Sequence, residues 1–262
     1  MKKLIYLLAM VCTFGFTACS DDNDDPKNEN RLEAIEGTWN LEEVTTKDLG
    51  DQGELYVGSA KFTWDCPADT KMTIDMGGFP MELPVTTVTS LVNNLANTYL
   101  PQVLKDITFT ADGKINATYA ELPEDDTESD ASATTPAWKK AEGYATYKVA
   151  SENLIYVTID ADKATESIDD AQEKAQIKAI LQKYSAIPVN IRWNGTKPYF
   201  YVDKAFVQPL LANLVGMLSN IPTDDMDEDD LASFNMLKGI VTQLPSIMEN
   251  TTTFEAGLEL TK

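Results

Sequence analysis

Carboxylates are the only plentiful reactive side chains in this chain, which has 42 aspartates and glutamates and no histidine. A pair of suitably spaced carboxylates is sufficient for glycoside hydrolysis, so a carboxylate-dependent hydrolase is one interpretation. The missing imidazole excludes Ser-His-Asp and Cys-His nucleophile systems and the histidine-based zinc hydrolase motifs. Because no pair stands out among so many carboxylates, we predict a protein that is not an enzyme, with no catalytic residues, no cofactor and no bound metal.

An acidic run late in the chain has the alternate spacing of a calcium-binding loop, with carboxylates at Asp225, Asp227 and Asp229. An EF-hand loop needs a glycine where this chain has Asp230, and a bidentate glutamate where it has Met236. Acidic residues are also favourable at the start of a helix, because that end carries a partial positive charge. We therefore predict that the run begins a helix rather than binding a metal.

The first eighteen residues have the parts of a secretory leader. Two lysines precede an apolar stretch at residues 4–15 that is too short to span a bilayer. The sequence Phe16-Thr17-Ala18-Cys19 resembles the lipobox of bacterial lipoproteins. This resemblance implies a lipoprotein signal peptide at residues 1–18, cleavage before Cys19, and attachment of a diacylglycerol to the cysteine thiol.

Residues 19–31 form an acidic tether. The run from Ser20 to Asp25 resembles the export signal of Bacteroidetes lipoproteins, which implies an outer-membrane protein that is lipid-anchored through Cys19 and exposed at the cell surface. A solvated linker explains the same run. Each buried methylene contributes about 0.8 kcal/mol, so two or three acyl chains on one residue would hold the protein permanently at the membrane.

The net charge is −21, and it becomes −23 once the leader with its two lysines is removed. This charge repels nucleic acid and anionic lipid head groups, so we predict no nucleic-acid partner. It also keeps a surface protein soluble. Cys66 is the only thiol left after cleavage and lipidation, so no intrachain disulfide is expected and the folded core must provide the stability.

Short hairpins dominate the rest of the chain. Asp-Gly at residues 112–113 and Asn-Gly at 194–195 occupy tight-turn positions between alternating apolar runs. We predict hairpins at residues 106–119, 143–160 and 188–203, a pair formed by 54–66 with 71–76, a first strand at 35–44 and a last strand at 252–260. Connections this short join antiparallel neighbours, which excludes a doubly wound parallel sheet.

Helices are predicted between the hairpins, where apolar residues recur at intervals of three and four. The predicted helical insertions are residues 86–104, 162–184, 204–219 and 228–249. The first helix is predicted to be amphipathic, and its apolar stripe consists of Val88, Leu91, Val92, Leu95, Tyr99 and Val103. The helices at residues 206–248 have excess apolar surface, which the sheet or an envelope protein partner would cover.

The motif Gly37-Thr38-Trp39 opens the first predicted strand, strands follow as hairpins, and a strand ends the chain. This arrangement resembles the lipocalin-like lipoproteins of Bacteroidetes. The resemblance implies a mainly β, α+β fold: one domain over residues 32–262 with an antiparallel, up-and-down, lipocalin-like barrel of about 8–10 strands and inserted helices. It also makes Trp39 a structural plug of the barrel. Lipocalins stack an arginine of the last strand over this tryptophan, where the present chain offers only Lys262.

A barrel of this size either fills itself with side chains or holds one small ligand. Large apolar side chains that face a barrel most often form its core. The same residues are the candidate ligand pocket, and they are Leu41, Phe62, Trp64, Met72, Ile74, Ile107, Phe109, Val189, Ile191 and Trp193. We predict non-catalytic binding of a small apolar or amphipathic ligand in or at the mouth of the barrel.

Two further functions compete with this prediction and with the hydrolase. The first is a glycan-binding surface lipoprotein, in which Trp138 and Trp193 form a platform for sugar rings. The second is a scaffold or interaction protein of the cell envelope, which would use the helices at residues 206–248.

Overall fold

A computed structural model describes residues 34–50, 53–75, 79–120, 136–166, 168, 171–183, 185–219 and 228–262. The predicted leader, the tether with Cys19, and both Asp225 and Asp227 lie outside the described residues. Where the sequence predicts one domain, the contacts divide the described chain into two compact units. The first, which we call the helical unit, contains residues 61–93 and 201–257. The second, the barrel unit, contains residues 34–60, 94–200 and 258–262.

Eight strands form a closed barrel of antiparallel, up-and-down topology, which confirms the predicted mainly β, lipocalin-like fold. Their order is β1-β7-β8-β9-β10-β11-β12-β13, and β1 closes the ring by pairing with both β7 and β13. The barrel strands are β1 (Gly37–Leu41), β7 (Leu104–Phe109), β8 (Lys114–Tyr119), β9 (Lys139–Ser151), β10 (Leu154–Ile159), β11 (Ile187–Asn194), β12 (Lys197–Asp203) and β13 (Thr253–Thr261).

Turn glycines account for the tight hairpins of the barrel. Gly113, between β7 and β8, has a φ of +78°, and Gly195, between β11 and β12, has a φ of +66°. These values lie in the left-handed region that side chains with a Cβ rarely adopt. The hairpins predicted at residues 106–119, 143–160 and 188–203 are confirmed, as are the first and last strands.

Aromatic rings from strands that are not neighbours meet across the barrel interior. The Phe109 ring on β7 stacks on Phe200 of β12, with 5.0 Å between ring centroids. It also contacts Tyr147 of β9 edge to face at 5.3 Å. Since all three residues are buried and their strands are not adjacent, the rings occupy the interior at this level. The barrel is therefore filled here by its own side chains.

Five more strands, which we call the accessory strands, lie outside the ring. They are β2 (Thr45–Asp48), β3 (Glu54–Val57), β4 (Ala60–Asp65), β5 (Lys71–Asp75) and β6 (Pro80–Pro84). Among the described residues, β4 pairs with β13, whereas β2 pairs only with β3 and β5 only with β6. The predicted pairing of residues 54–66 with 71–76 is therefore wrong. Alternation identifies the face of a strand and not its partner, and the prolines that bound β6 hide that partner in the sequence.

The helices agree with the predicted insertions. They are α1 (Val85–Val103), α2 (Ala161–Ala164), α3 (Ala171–Lys183), α4 (Lys204–Ser219) and α5 (Glu228–Asn250). The insertion predicted as one helix at residues 162–184 consists of α2 and α3, and the Asp160 side chain caps the start of α2. Within the described residues, none of these helices has the length and apolar character needed to cross a membrane.

Helix α1 buries only part of its predicted apolar stripe. Val85, Val88 and Leu100 are buried together with the polar Asn97. Leu91, Val92, Leu95 and Tyr99 are exposed, each over 37% to 56% of its surface. The predicted helix is confirmed and Val88 of its stripe is buried, but these four members of the stripe are exposed because asparagine amides on the other side of the helix bind strand backbones.

Candidate functional site

Trp39 lies at one end of the barrel, where a helical turn at residues 34–35 leads into β1. Its side chain is 1% exposed. The indole Nε1–H donates a hydrogen bond of 2.7 Å to the Ile35 carbonyl. This bond satisfies the only polar atom of the buried indole and ties the helical turn to the barrel.

The last residue of the chain lies against this tryptophan. The Lys262 ammonium is 4.7 Å from the centre of the Trp39 ring, within cation–π range. A lysine thus takes the place that the resemblance assigns to an arginine. On β11, Trp193 contacts Trp39 edge to face, with 6.1 Å between ring centroids.

A cavity of about 170 Å³ opens at the same end of the barrel. It is bounded by the helical turn at residues 34–35, the β9–β10 turn and the end of β11. Val149, Ile155 and Ile191 supply apolar walls, and the 36% exposed Trp193 lies at its border. We call this space the barrel-end cavity. Its full lining is Ala34, Ile35, Val149, Ser151, Glu152, Asn153, Ile155, Ile191 and Trp193.

The polar side of the cavity is held by backbone hydrogen bonds. The Ile191 N–H donates to the Asn153 carbonyl at 2.8 Å. The Asn153 N–H donates to the Ser151 hydroxyl at 3.3 Å. Strand pairing places Ile155 opposite Val149 on one side and Val189 on the other. The cavity is therefore formed by paired strands and a hydrogen-bonded turn.

The size and lining of the barrel-end cavity limit what it can hold. A cavity of about 150 Å³ lined by apolar side chains accepts benzene, whereas drug-sized ligands occupy about 300–1,000 Å³. Among the lining side chains Glu152 is the only charged one. The cavity thus suits a short apolar group with a small polar end.

Tyr147 is the interior group with the most altered acidity. Its hydroxyl donates a hydrogen bond of 2.9 Å to the Thr110 carbonyl. Burial, with smaller contributions from the charges of Glu36 and Asp112, raises the pKa of Tyr147 to about 12. The phenol therefore remains a neutral hydrogen-bond donor throughout the physiological range.

A wider depression of about 340 Å³ lies beside the β7–β8 turn. The Asp112 and Lys114 side chains form an ion pair there. Hydrogen bonds from Lys114 and Thr110 lower the pKa of Asp112. The Lys163 ammonium donates to the Glu142 carbonyl at 3.1 Å. Because these charges already pair with groups of the chain, this depression is a weaker candidate than the barrel-end cavity.

The residues predicted to form one ligand pocket fall into two groups. Six of them lie on barrel strands, and they are Leu41, Ile107, Phe109, Val189, Ile191 and Trp193. Of these six, only Ile191 and Trp193 line the barrel-end cavity. The other four belong to the hydrophobic cluster of the helical unit, and they are Phe62, Trp64, Met72 and Ile74.

The four residues of the helical unit have packing partners of their own. Trp64 and Met72 are buried with Leu211, Met248 and Phe254. The ring of Phe254 lies 5.2 Å from that of Phe62 and 5.7 Å from that of Trp64. The Trp64 indole donates a hydrogen bond of 2.8 Å to the Thr251 hydroxyl. The sequence did not distinguish these residues from barrel residues, because alternation is the same in both sheets.

The predicted sugar platform is wrong, because the two tryptophans are far apart. Trp138 lies at the start of β9, whereas Trp193, on β11, lies near the end of β9. Trp138 precedes Lys139, the first residue of this strand of 13 residues, and Trp193 borders the cavity that Ser151 lines at the other end. A strand of that length extends roughly 40 Å. The two rings cannot stack on one sugar.

Most residues of the cavity lining carry no functional signal in the sequence. Ala34 precedes the first predicted strand and Ile35 is its first residue, although the structure places both in a helical turn before β1. Ser151, Glu152 and Asn153 form a turn that carries no functional motif. A turn of three polar residues next to a tryptophan on another strand has no signature in the sequence, because the contact requires the barrel to close.

The chain was compared with known proteins at the levels of sequence and structure. No family model, no curated protein and no solved structure matches it. Within the described residues, no group of three or more carboxylates and thiols is arranged to hold a metal ion.

Proposed function

We propose that this protein is a non-catalytic binding protein, anchored by lipid on Cys19 to the outer membrane and exposed at the cell surface. It binds a small amphipathic molecule in the barrel-end cavity. The observation that carries the proposal is a cavity with apolar walls and a polar turn on one side, at the end of an otherwise filled barrel.

The filled interior favours binding at the end of the barrel rather than in its lumen. The rings of Phe109, Tyr147 and Phe200 occupy the lumen, and displacing them would sacrifice packed core contacts. The barrel-end cavity needs no such displacement, because its walls are paired strands. A pre-formed pocket costs the protein little conformational entropy on binding.

The lining predicts how the ligand lies. Its apolar part contacts Ile155, Ile191 and Trp193, and its polar end lies near the turn at Ser151 and Glu152. The net charge of −21 disfavours a negatively charged end. We therefore expect alcohols and amines to bind more tightly than carboxylates of the same chain length.

The experiment uses the chain from Ser20 onward, which keeps every described residue and has no lipid. Binding of short-chain alcohols, amines and carboxylic acids is measured by thermal shift and by native mass spectrometry. Ser151→Trp, which fills the cavity from its exposed rim, is expected to abolish binding. Ala150→Trp adds the same ring to an exposed neighbour that does not line the cavity, and should bind normally. The absence of any saturable shift, or equal binding by Ser151→Trp, would refute the proposal.

The anchor is tested separately in cells. Wild-type protein is expected to incorporate labelled fatty acid and to fractionate with outer membranes, and Cys19→Ser is expected to do neither. Digestion of intact cells with protease then tests surface exposure. Labelling that persists in Cys19→Ser would remove the support for anchoring.

Glycan binding is a second candidate, favoured by the half-exposed ring of Trp193 next to the polar turn at residues 151–153. An aromatic face beside hydroxyl, amide and carboxylate groups suits one sugar ring. A glycan array decides between the two candidates. If the protein binds a sugar at this site, Trp193→Ala should lose that binding, and the alcohols and amines should compete with the sugar for the wild-type protein.

A further inference from the structure

The exposed apolar stripe of α1 is held outward by bonds on the opposite side of the helix. The Asn93 side chain accepts from the Phe62 N–H at 2.9 Å and donates to the Phe62 carbonyl at 2.8 Å. Asn97 makes the same two bonds with Ala60, both of 3.0 Å. Each amide pairs with a strand backbone as another strand would.

The next asparagine extends this arrangement to β3. Asn94 accepts from the Tyr56 N–H at 2.7 Å and donates to the Glu54 carbonyl at 2.8 Å. Rotating the helix to bury Leu91 and Leu95 would break the bonds of all three asparagines and leave the backbone groups of the strands unpaired. The exposure of Leu91, Val92, Leu95 and Tyr99 is therefore imposed by the fold.

The helix that carries this stripe has no charge. Residues 83–104 contain no aspartate, glutamate, lysine or arginine, although such residues make up 24% of the chain. An apolar stripe exposed on an uncharged helix is typical of a contact surface. The partner must accept apolar side chains and tolerate a protein whose net charge is −21.

A second copy of the chain satisfies these conditions poorly. A stable interface buries about 800 Å² on each partner, and four side chains, each exposed over 56% of its surface or less, provide much less. Two copies without the leader would also bring together two charges of −23. A lipid surface needs no minimum area, since each apolar side chain that enters it adds to the binding.

We infer that the stripe formed by Leu91, Val92, Leu95 and Tyr99 rests in the boundary between the head groups and acyl chains of a membrane with uncharged head groups. The inference rests on the proposed function only for the anchor that brings the protein to the membrane. Fourteen residues lie between Cys19 and Ala34, and the fifteen steps of chain that join them reach at most about 50 Å, so the anchored chain stays close to the bilayer. Tethering raises the local concentration of the stripe at the membrane surface, so a weak interaction with the lipid is sufficient to keep it bound there.

The test measures binding of the unlipidated chain from Ser20 onward to phosphatidylcholine vesicles by co-sedimentation. Leu95→Glu is expected to lower the partition coefficient by about tenfold or more, because it puts a charge at the centre of the stripe. Thr87→Glu adds the same charge to an exposed position of α1 off the stripe and should bind like the wild type. Replacing a third of the lipid with phosphatidylglycerol should weaken binding at low salt.

Leu95→Trp provides a test in the other direction. Tryptophan prefers the membrane interface, so this variant should bind more tightly than the wild type. Circular dichroism confirms that the variants stay folded, which exposure of Leu95 leads us to expect.

Three results would overturn the inference. They are no sedimentation with neutral vesicles, equal sedimentation of Leu95→Glu and the wild type, or a dimer in light scattering that Leu95→Glu disrupts while vesicles are not bound. Because the chain carries no lipid in this test, its failure is independent of whether Cys19 is acylated.

Discussion

The barrel and the accessory strands are both antiparallel β structure, yet they satisfy their backbone groups in different ways. The barrel closes on itself, because β1 bonds to β7 on one side and to β13 on the other. The accessory sheets have only two strands each, and β4 is the end of its row of strands. The free edges of β3, β4 and β5 are paired instead with the amide side chains of helices.

The comparison shows why α1 and α5 carry polar residues on their inner sides. Gln243 of α5 binds both the N–H and the carbonyl of Thr73 on β5, at 2.8 and 2.7 Å. Asn93 and Asn97 of α1 do the same for Phe62 and Ala60. The backbone N–H and carbonyl groups of an open edge need hydrogen-bond partners. The backbone of a helix is already paired within the helix, so its side-chain amides have to supply these bonds. In a closed sheet each strand is paired on both sides, so the helices beside it need not supply amides.

The largest effect is expected from opening the barrel core. Phe109→Ala removes a ring that contacts both Phe200 and Tyr147, and should lower the free energy of unfolding by about 3–5 kcal/mol. Urea unfolding followed by tryptophan fluorescence measures this loss. Met236→Ala truncates a half-exposed residue of α5 and serves as the control, with little change expected. A loss below about 1 kcal/mol for Phe109→Ala would mean that these rings do not fill the barrel.

The second prediction concerns the amide pairing of the accessory strands. Asn97 is 2% exposed, so Asn97→Ala leaves the N–H and carbonyl of Ala60 buried and unpaired, and should cost about 2–3 kcal/mol. Gln243→Ala should cost at most about 1 kcal/mol, because its bonds to Thr73 lie near solvent. Chemical denaturation of both variants gives the two values.

Two matched variants sharpen this test. Gln102→Ala removes an exposed amide of α1 that bonds only within the helix, to the Thr98 carbonyl, and should be nearly neutral. Gly58→Ala should resemble Asn97→Ala, because a Cβ on Gly58 would lie 2.6 Å from the Asn97 side-chain oxygen. If Asn97→Ala proved as mild as Gln102→Ala, the edges of these strands would not depend on the asparagines.

The third prediction concerns pH and the barrel interior. Burial raises the pKa of Tyr147 to about 12, compared with about 10 in an unfolded chain. The folded state therefore holds the phenol proton more tightly, so its contribution is complete below pH 10 and is lost as pH rises from about 10 to 12. Wild type should lose up to about 2 kcal/mol more than Tyr147→Phe over this interval. Parallel slopes of stability against pH for the two proteins would contradict the assignment.

The smallest effect is expected at the end of the barrel. Lys262→Met keeps the length of the side chain but removes the cation from the Trp39 ring, and should cost about 0.5–1 kcal/mol. Lys262→Arg should preserve stability, because a guanidinium stacks on an indole at least as well. Thermal melts at low and high salt measure both variants, and equal stability of Lys262→Met and the wild type would show that the cation contributes nothing.

Much of the barrel was predictable because its signals are local. Asp112-Gly113 and Asn194-Gly195 specify turns through the conformational freedom of their glycines, and alternation over six to eight residues specifies the strands beside them. The candidate site was predicted only in part. Ile191 and Trp193 follow from alternation on β11, but nothing in the sequence indicates that the turn at residues 151–153 lies beside them.

The amino-acid sequence by itself determined the hairpins, the helices and the closing strand, because turn geometry and side-chain periodicity act between residues close in the chain. It left the partners of those elements undetermined. The faces of α1, the partner of β5 and the lining of the barrel-end cavity depend on residues far apart in sequence, such as Asn97 and Ala60. Tertiary structure decided these features, because the three asparagines of α1 pair at least six backbone groups of the strands. Leaving all of these groups unpaired would cost more than leaving four partly exposed apolar side chains in water.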